Sequence, residues 1–529
     1  MPFLGSSFQQ VLLLLLVTIS PISSFDRPQY ICLNEAFPNS WLVDQPDTFT
    51  QESIDWLLNN VSNVKGSSFR KLCVSFNLWT MIMPITNETT MLRSLDALLN
   101  LVVTNDLPLS ISLDPTQWWT SASSLYDSSI PENAYNVEWS GPSPFNASWI
   151  SWRNWGSQFR MPSPHPNFAS PAFRAWSAST VGPLASRIAQ WYTALDPSKR
   201  YLLAYVRCTQ ELWMGTNYYY YPNGNSLIPL DPKNDPTDGP QKASQLGYAA
   251  LCSPGGSGGG DICQEGGKIT VAHLDSIVTS FATFAAGVLI DAGIPRSRVV
   301  VHTGSFFNNE PPSSNNTPVF NSPQAAVINN AFPGWSMYTA GTNAASDTGV
   351  NAALDGINGA PWAAPEWLAF FDRGKDKESW AQALNATMSF RNNRLIVVQN
   401  FQSIANDSGP LDAIIDALNT QEACIVDVPI NLSISSGINS SNYLLSWTLS
   451  LPIPPDTILT LRVSTVSLTL PSAELAVPDI ALQTLPNTAV STSFSLPNGF
   501  DGSEIYSQIV ASACGSTQTM ASDALLSIL

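Results

Sequence analysis

The sequence predicts an α/β protein: a (β/α)8 barrel followed by a small C-terminal all-β domain of sandwich type. Short runs rich in Val, Ile and Leu recur eight times, with longer segments of helical periodicity between most of them. After about Ala423 the helical periods stop and alternating β-formers take over. Strand alternating with helix gives a parallel sheet covered on its faces, and eight such units are enough to close a barrel.

Taken in order, the strand candidates are Gln29 to Asn34, Lys71 to Leu78, Leu107 to Leu113, Tyr201 to Thr209, Arg298 to His302, Trp335 to Thr339, Gly359 to Ala364 and Arg394 to Asn400. Helical periodicity marks Thr50 to Val64, Met91 to Thr104, Pro171 to Leu195, Ala272 to Ala292 and Lys377 to Arg391. The expected barrel domain therefore spans 25–422. Residues 423–529 form the accessory domain and tail, with strands over Ile425 to Ile434, Tyr443 to Leu451, Thr457 to Leu470 and Thr488 to Leu496.

Residues 1–24 read as a signal peptide: they carry no charged side chain, and the apolar run Val11 to Val17 is followed by Ser20, Ser23 and Ser24. No later stretch reaches the roughly 18 consecutive apolar residues of a membrane span. Eight N-glycosylation sequons, at Asn60, Asn87, Asn146, Asn315, Asn385, Asn406, Asn431 and Asn439, suit a secreted chain. A net charge of −17 without a Lys/Arg run argues against nucleic acid and anionic membrane surfaces, which need a basic patch to displace counterions.

Seven cysteines leave at least one thiol unpaired within the chain. Cys252 and Cys263 flank the loop Ser253 to Gly260, whose ends a disulfide would staple. Cys32 and Cys73 lie in strand candidates as a pair or as two buried thiols, and Cys424 with Cys514 is an option in the C-terminal region. No CxxC or His-x-x-x-His spacing points to a metal, no Gly-Lys-Ser/Thr ending to a nucleotide and no Gly-x-Ser-x-Gly elbow to an esterase, so no cofactor is expected.

In a (β/α)8 barrel the functional groups gather at the C-terminal ends of the strands. Two connections there are long: the third, about Asp114 to Ser170, carries Trp118, Trp119, Trp139, Trp152 and Trp155, and the fourth, about Glu211 to Thr270, carries Trp213 and Tyr218 to Tyr221. With 17 Trp and 14 Tyr in the chain, stacking on the apolar face of sugar rings is a natural use for some of them. Packing is the competing use of any single ring.

Glu211 ends the fourth strand candidate and Glu366 the seventh, each among aromatic and apolar neighbours. Two carboxyls in unlike apolar surroundings have their proton affinities pushed apart, so one serves as an acid while the other stays ionised. The competing reading is a helix cap or an ion pair with Arg. Asp114, His302, Thr303, Tyr338, Gln399 and Asn400 lie at or near other strand ends as hydroxyl partners, although Asp114 also suits the start of a turn at Pro115 and His302 a barrel-core imidazole. Trp362 and Trp367, bracketing Glu366, are the expected subsite walls, with Trp118, Trp119 and Trp213 behind them, while Glu35 and Glu138 are weaker acid candidates.

A Glu after strand four and a second after strand seven of such a barrel resembles clan A of the retaining glycoside hydrolases, over about residues 28–420. The resemblance implies that Glu211 is the general acid/base and Glu366 the nucleophile, and that Tyr338, near strand six, orients the nucleophile. Where the clan has Asn before the acid/base, this chain has Gln210, whose amide keeps the capacity to bond a sugar 2-hydroxyl. The implied reaction is a double displacement on an oligo- or polysaccharide, for which carboxyls about 5–5.5 Å apart are needed, against about 6.5–9.5 Å for inversion. The other class consistent with these residues is a carbohydrate-binding or cell-surface glycoprotein that keeps the barrel and its aromatic walls without turnover.

Overall fold

The computed structural model describes residues 28–34, 49–67, 69–77, 87–149, 151–154, 158–161, 163–217, 244–264, 267–304, 319–337, 346–357, 359–367 and 374–420, together with the backbone of strands beyond 430. Backbone contacts divide the chain into a unit spanning Pro28–Gln421 and a second that contains the residues from Glu422 onward.

Eight parallel strands build the first unit: β1 (Gln29–Asn34), β2 (Arg70–Asn77), β3 (Leu109–Ser112), β4 (Leu203–Arg207), β5 (Val299–Val300), β6 (Gly334–Met337), β7 (Trp362–Trp367) and β8 (Asn393–Val398). Their order around the sheet is β6-β7-β8-β1-β2-β3-β4-β5. The remaining seam, between β5 and β6, is bridged by Val301 N–H to Phe332 O at 2.9 Å, Thr303 N–H to Gly334 O at 3.0 Å and Ser336 N–H to Thr303 O at 3.1 Å. The barrel is thereby nearly closed. Gly334 lets the seam approach, since a Cβ there would sit 2.8 Å from Val301 O.

Helices α1 (Gln51–Asn60), α2 (Glu88–Asn105), α3 (Pro171–Ala194), α4 (Val271–Asp291), α5 (Thr348–Asp355), α6 (Lys377–Met388) and α7 (Ser408–Asn419) alternate with the strands. Their starts follow capping chemistry: Thr50, Asn87, Ser170, Asp347 and Asp376 each accept a first-turn N–H. Among the described residues α4 alone is long and apolar enough to cross a membrane by composition. Its apolar face is core, however, with Phe281 stacked on Phe168 at 4.5 Å and on Phe173 at 5.6 Å.

Strand alternation sorts the barrel's side chains into two cores. Ile31, Leu33, Leu72, Val74 and Ile396 face the helices, whereas Tyr30, Cys32, Cys73, Tyr205, Leu395 and Val397 fill the interior. Cys32 and Cys73 are register partners on β1 and β2 and form a disulfide, resolving the choice the sequence left open. Cys252 and Cys263 form the expected second one. Cys208 is a buried free thiol, and Cys424 and Cys514 lie outside the described residues.

In the second unit the described strands are antiparallel. β9 (Ile430–Ser436), β10 (Asn442–Leu449) and β13 (Val490–Ser495) form one sheet, and β11 (Ile458–Ser464), β12 (Ile480–Leu482), β14 (Glu504–Ala513) and β15 (Ser516–Ser527) form another. The sequence reading lacked β12, β14 and β15. β12 is only three residues long, and Ser and Ala interrupt the alternation of larger apolar residues in β14 and β15.

Candidate functional site

The backbone of β4 continues past its last ladder residue in contact with both neighbours. Leu113 N–H donates to Arg207 O at 2.9 Å, Cys208 N–H to Val300 O at 3.0 Å and Leu212 N–H to His302 O at 2.9 Å. Thr209 Oγ1 adds a bond to His302 O at 3.0 Å. Gln210 and Glu211 are thus carried to the strand's C-terminal end on a fixed backbone. Glu211 has φ +48°, a left-handed conformation uncommon for a residue with a side chain and typical of sites where geometry is imposed by the surroundings.

On β7, Glu366 pairs in register with Ser336 of β6. The ladder is irregular between Ala364 and Trp367, where Pro365 supplies no N–H, and this break resets the two-residue alternation. In an unbroken strand Trp362, Ala364 and Glu366 would share a face. Here Trp362 and Ala364 belong to the helix-side core, whereas Glu366 joins the groups at the barrel end.

Those groups form one network. Ser336 Oγ–H donates to Glu211 Oε1 at 3.0 Å and lies 2.8 Å from His302 Nε2. The same Nε2 is 3.8 Å from Glu366 Oε2. Gln210 Nε2 reaches Glu366 Oε2 at 3.5 Å, and its Oε1 accepts from Arg207 at 3.3 Å. Because a guanidinium only donates, Arg207 fixes which way the Gln210 amide faces and turns its N–H₂ toward the carboxylate. Glu211 and Glu366 are nearly buried, at 9% and 6% exposure.

Arg207 is completely buried and is held by Ser75 Oγ at 2.9 Å and Pro365 O at 3.2 Å. Burial lowers its guanidinium to about 10, with the Glu366 charge opposing the shift, so it stays cationic at neutral pH. His302 moves well below its ordinary value because it is buried and, secondarily, because Arg207 is near; it is a neutral imidazole. Asp114 takes the turn role that the sequence offered, accepting Thr116 N–H at 2.8 Å, and it also accepts Gln210 N–H at 2.7 Å.

Several expected contributors stand elsewhere. Trp362 and Trp367 do not wall the cleft: both are 0% exposed, Trp362 packing on Trp335 and Trp367 on Trp380. Trp119 is likewise packed, on Phe173 and Trp176, with Nε1 bonded to Pro164 O at 3.1 Å. Trp213 is buried against His165 and Phe320. Asn400 is exposed in a left-handed turn, while its neighbour Gln399 accepts from Asn34 Nδ2 at 2.7 Å. Thr303 is fully buried at the seam. Glu138 lies in the third connection, fully buried, and binds backbone N–H groups of the fourth. Tyr338, Glu35 and the side chain of Trp118 lie outside the described residues.

Arg207 and Ser336 were missed by sequence reasoning. An arginine closing the apolar run Leu203 to Val206 is a usable signal, since a buried guanidinium needs acceptors. Ser336 in Gly334-Trp335-Ser336-Met337 carries no such signal. Among the described residues no group of three or more His, Cys, Asp or Glu is arranged to hold a metal ion. Compared with protein-family models, curated proteins and solved structures, the chain matches none.

Proposed function

We propose that the chain is a secreted glycoside hydrolase that cleaves O-glycosidic bonds with retention, on a (β/α)8 barrel of clan A type with a β-sandwich accessory domain. The observation that carries this reading is the network joining Glu211 and Glu366 through Ser336, His302 and Gln210 at one end of the barrel. Glu366 attacks the anomeric carbon while Glu211 protonates the departing oxygen; Glu211 then deprotonates the water that releases the sugar. Arg207, cationic at neutral pH, supplies positive charge near the nucleophile. Gln210, held at N–H by Asp114 and at Oε1 by Arg207, presents its amide beside the nucleophile, where a 2-hydroxyl would sit.

Two disulfides agree with an oxidising compartment. The sequon residues Asn87, Asn146, Asn385 and Asn406 are exposed and open to glycosylation.

The test is covalent trapping. A panel of 2-deoxy-2-fluoroglycosyl fluorides should add one sugar mass to the peptide containing Glu366, and ¹H NMR of fresh product from the matching aryl glycoside should show the substrate's anomeric configuration. Inverted product, or label on another carboxylate, overturns the proposed mechanism.

A further inference from the structure

The contacts around Glu211 set a direction as well as a position. Ser336 Oγ lies 3.0 Å from Glu211 Oε1 and 2.8 Å from His302 Nε2. A serine hydroxyl has one proton; once that proton is given to the carboxylate, only lone pairs face the imidazole, so Nε2 must be the nitrogen that carries hydrogen. The other nitrogen agrees. Nδ1 of His302 is buried and has no hydrogen-bond partner among the described residues, so a proton there would be a buried donor with no acceptor.

We propose that Ser336 is a positioning residue for Glu211: hydrogen bonds run one way, from His302 Nε2–H to Ser336 Oγ and from Ser336 Oγ–H to Glu211 Oε1, so the exchangeable proton of Glu211 resides on Oε2. This rests on the glycosidase reading of Glu211. With Oε1 engaged as an acceptor whether the carboxyl is charged or neutral, Oε2 alone gives the proton to the leaving oxygen and takes it back from water. Reversing the chain would require Nδ1–H on His302, where the described residues offer it no acceptor. The charged and titratable groups around the chain are Arg207 on β4, His302 beyond β5, Glu366 on β7 and, through Gln210, Asp114 beyond β3. His302 stays neutral among them, so it orients the serine without itself exchanging protons.

The chain has 3 histidines, His165, His273 and His302, so ¹⁵N imidazole NMR resolves the tautomer without any substrate. The parent should show His302 protonated at Nε2, the signal being assigned by its loss in His302→Asn, and Ser336→Ala should speed exchange of that proton with water. With aryl glycosides, Ser336→Ala should lower kcat/KM about tenfold for a poor phenol leaving group and leave a dinitrophenol substrate nearly unchanged, because only the former needs a well-aimed acid. Ser336→Thr, which keeps the hydroxyl, should restore the parent pattern. Protonation at Nδ1 in the parent, or a loss equal across leaving groups, overturns the inference. If Glu211→Ala keeps full activity, the glycosidase reading itself falls; if Glu211→Ala loses acid-dependent turnover while Ser336→Ala matches the parent, only the role of Ser336 falls.

Discussion

Among the described residues, Glu138 on one side and Glu211 with Glu366 on the other are buried carboxyl groups satisfied in opposite ways. Glu138, in the third connection, is met by main chain: its Oε2 accepts Gly247 N–H at 2.8 Å and Ala249 N–H at 3.3 Å from the fourth connection. Glu211 and Glu366 are met by side chains projected from several strands, including a cationic Arg207 and a neutral His302. Backbone donors fasten one loop to another and respond little to what enters a cleft. Side chains from separate strands that meet at the strands' C-terminal ends, rather than in the packed barrel interior, are the ones a bound molecule can reach. The contrast separates a carboxyl that fastens two loops from the pair to which the proposed function assigns chemistry.

The sharpest way to break that contrast is to neutralise one member of each place. Glu366→Gln should cut turnover by at least about a thousandfold, since the proposed nucleophile is gone, while glycan binding by calorimetry stays close to the parent's. Glu138→Gln should leave turnover within about twofold, because that side chain bonds only loop backbone. Retained turnover in the first variant, or a collapse confined to catalysis in the second, would reverse the assignment of the two places.

The next effect is on stability and has a defined pH window. Burial pushes the Glu138 carboxyl from 4.5 up to about 7, with the backbone bonds from Gly247 and Ala249 opposing the shift. The folded chain therefore keeps a proton that the unfolded chain releases. Its stabilising contribution is full below about pH 4.5, shrinks as the pH rises, and is gone once the pH passes about 7. The loss across the window is about 3 kcal/mol. Urea midpoints measured between these limits should fall with rising pH for the parent, and the slope should flatten in Glu138→Gln. An unchanged slope would show that Glu138 does not carry the linkage.

Most of the barrel was legible because its signals are local. The run Gln29 to Asn34 became β1 with the same bounds, and the periodic stretch Pro171 to Leu195 became α3 with the same start, where Ser170 caps and proline sits in the first turn. Glu211 and Glu366 were visible because an acid at the end of an apolar run is conspicuous. The facing of Trp362 and Trp367 was not visible. It depends on the ladder irregularity around Pro365, a property of pairing with β8 rather than of either residue. Ser336 was equally hidden, since its role arises only when β6 is set beside the ends of β4 and β5. The Cys32–Cys73 pairing needed the register of β1 against β2, which spacing alone does not give.

The smallest effect tests that irregularity directly. Trp367 Nε1 donates to Thr387 Oγ1 at 3.2 Å on the helix side, and the ring meets Trp380 edge-on at 5.6 Å. Trp367→Phe keeps an aromatic ring and loses one buried hydrogen bond, so the expected cost is about 1 kcal/mol by chemical denaturation. Thr387 Oγ1 still donates to Ala383 O at 3.1 Å, which limits the penalty left on the helix. Glycan affinity and kcat/KM should not change, because the ring faces α6 and not the barrel end that holds Glu366. If stability were unaltered and affinity fell about tenfold, Trp367 would have to front the bound sugar, and β7 would have to run without the break that now turns its tryptophans outward and its glutamate in.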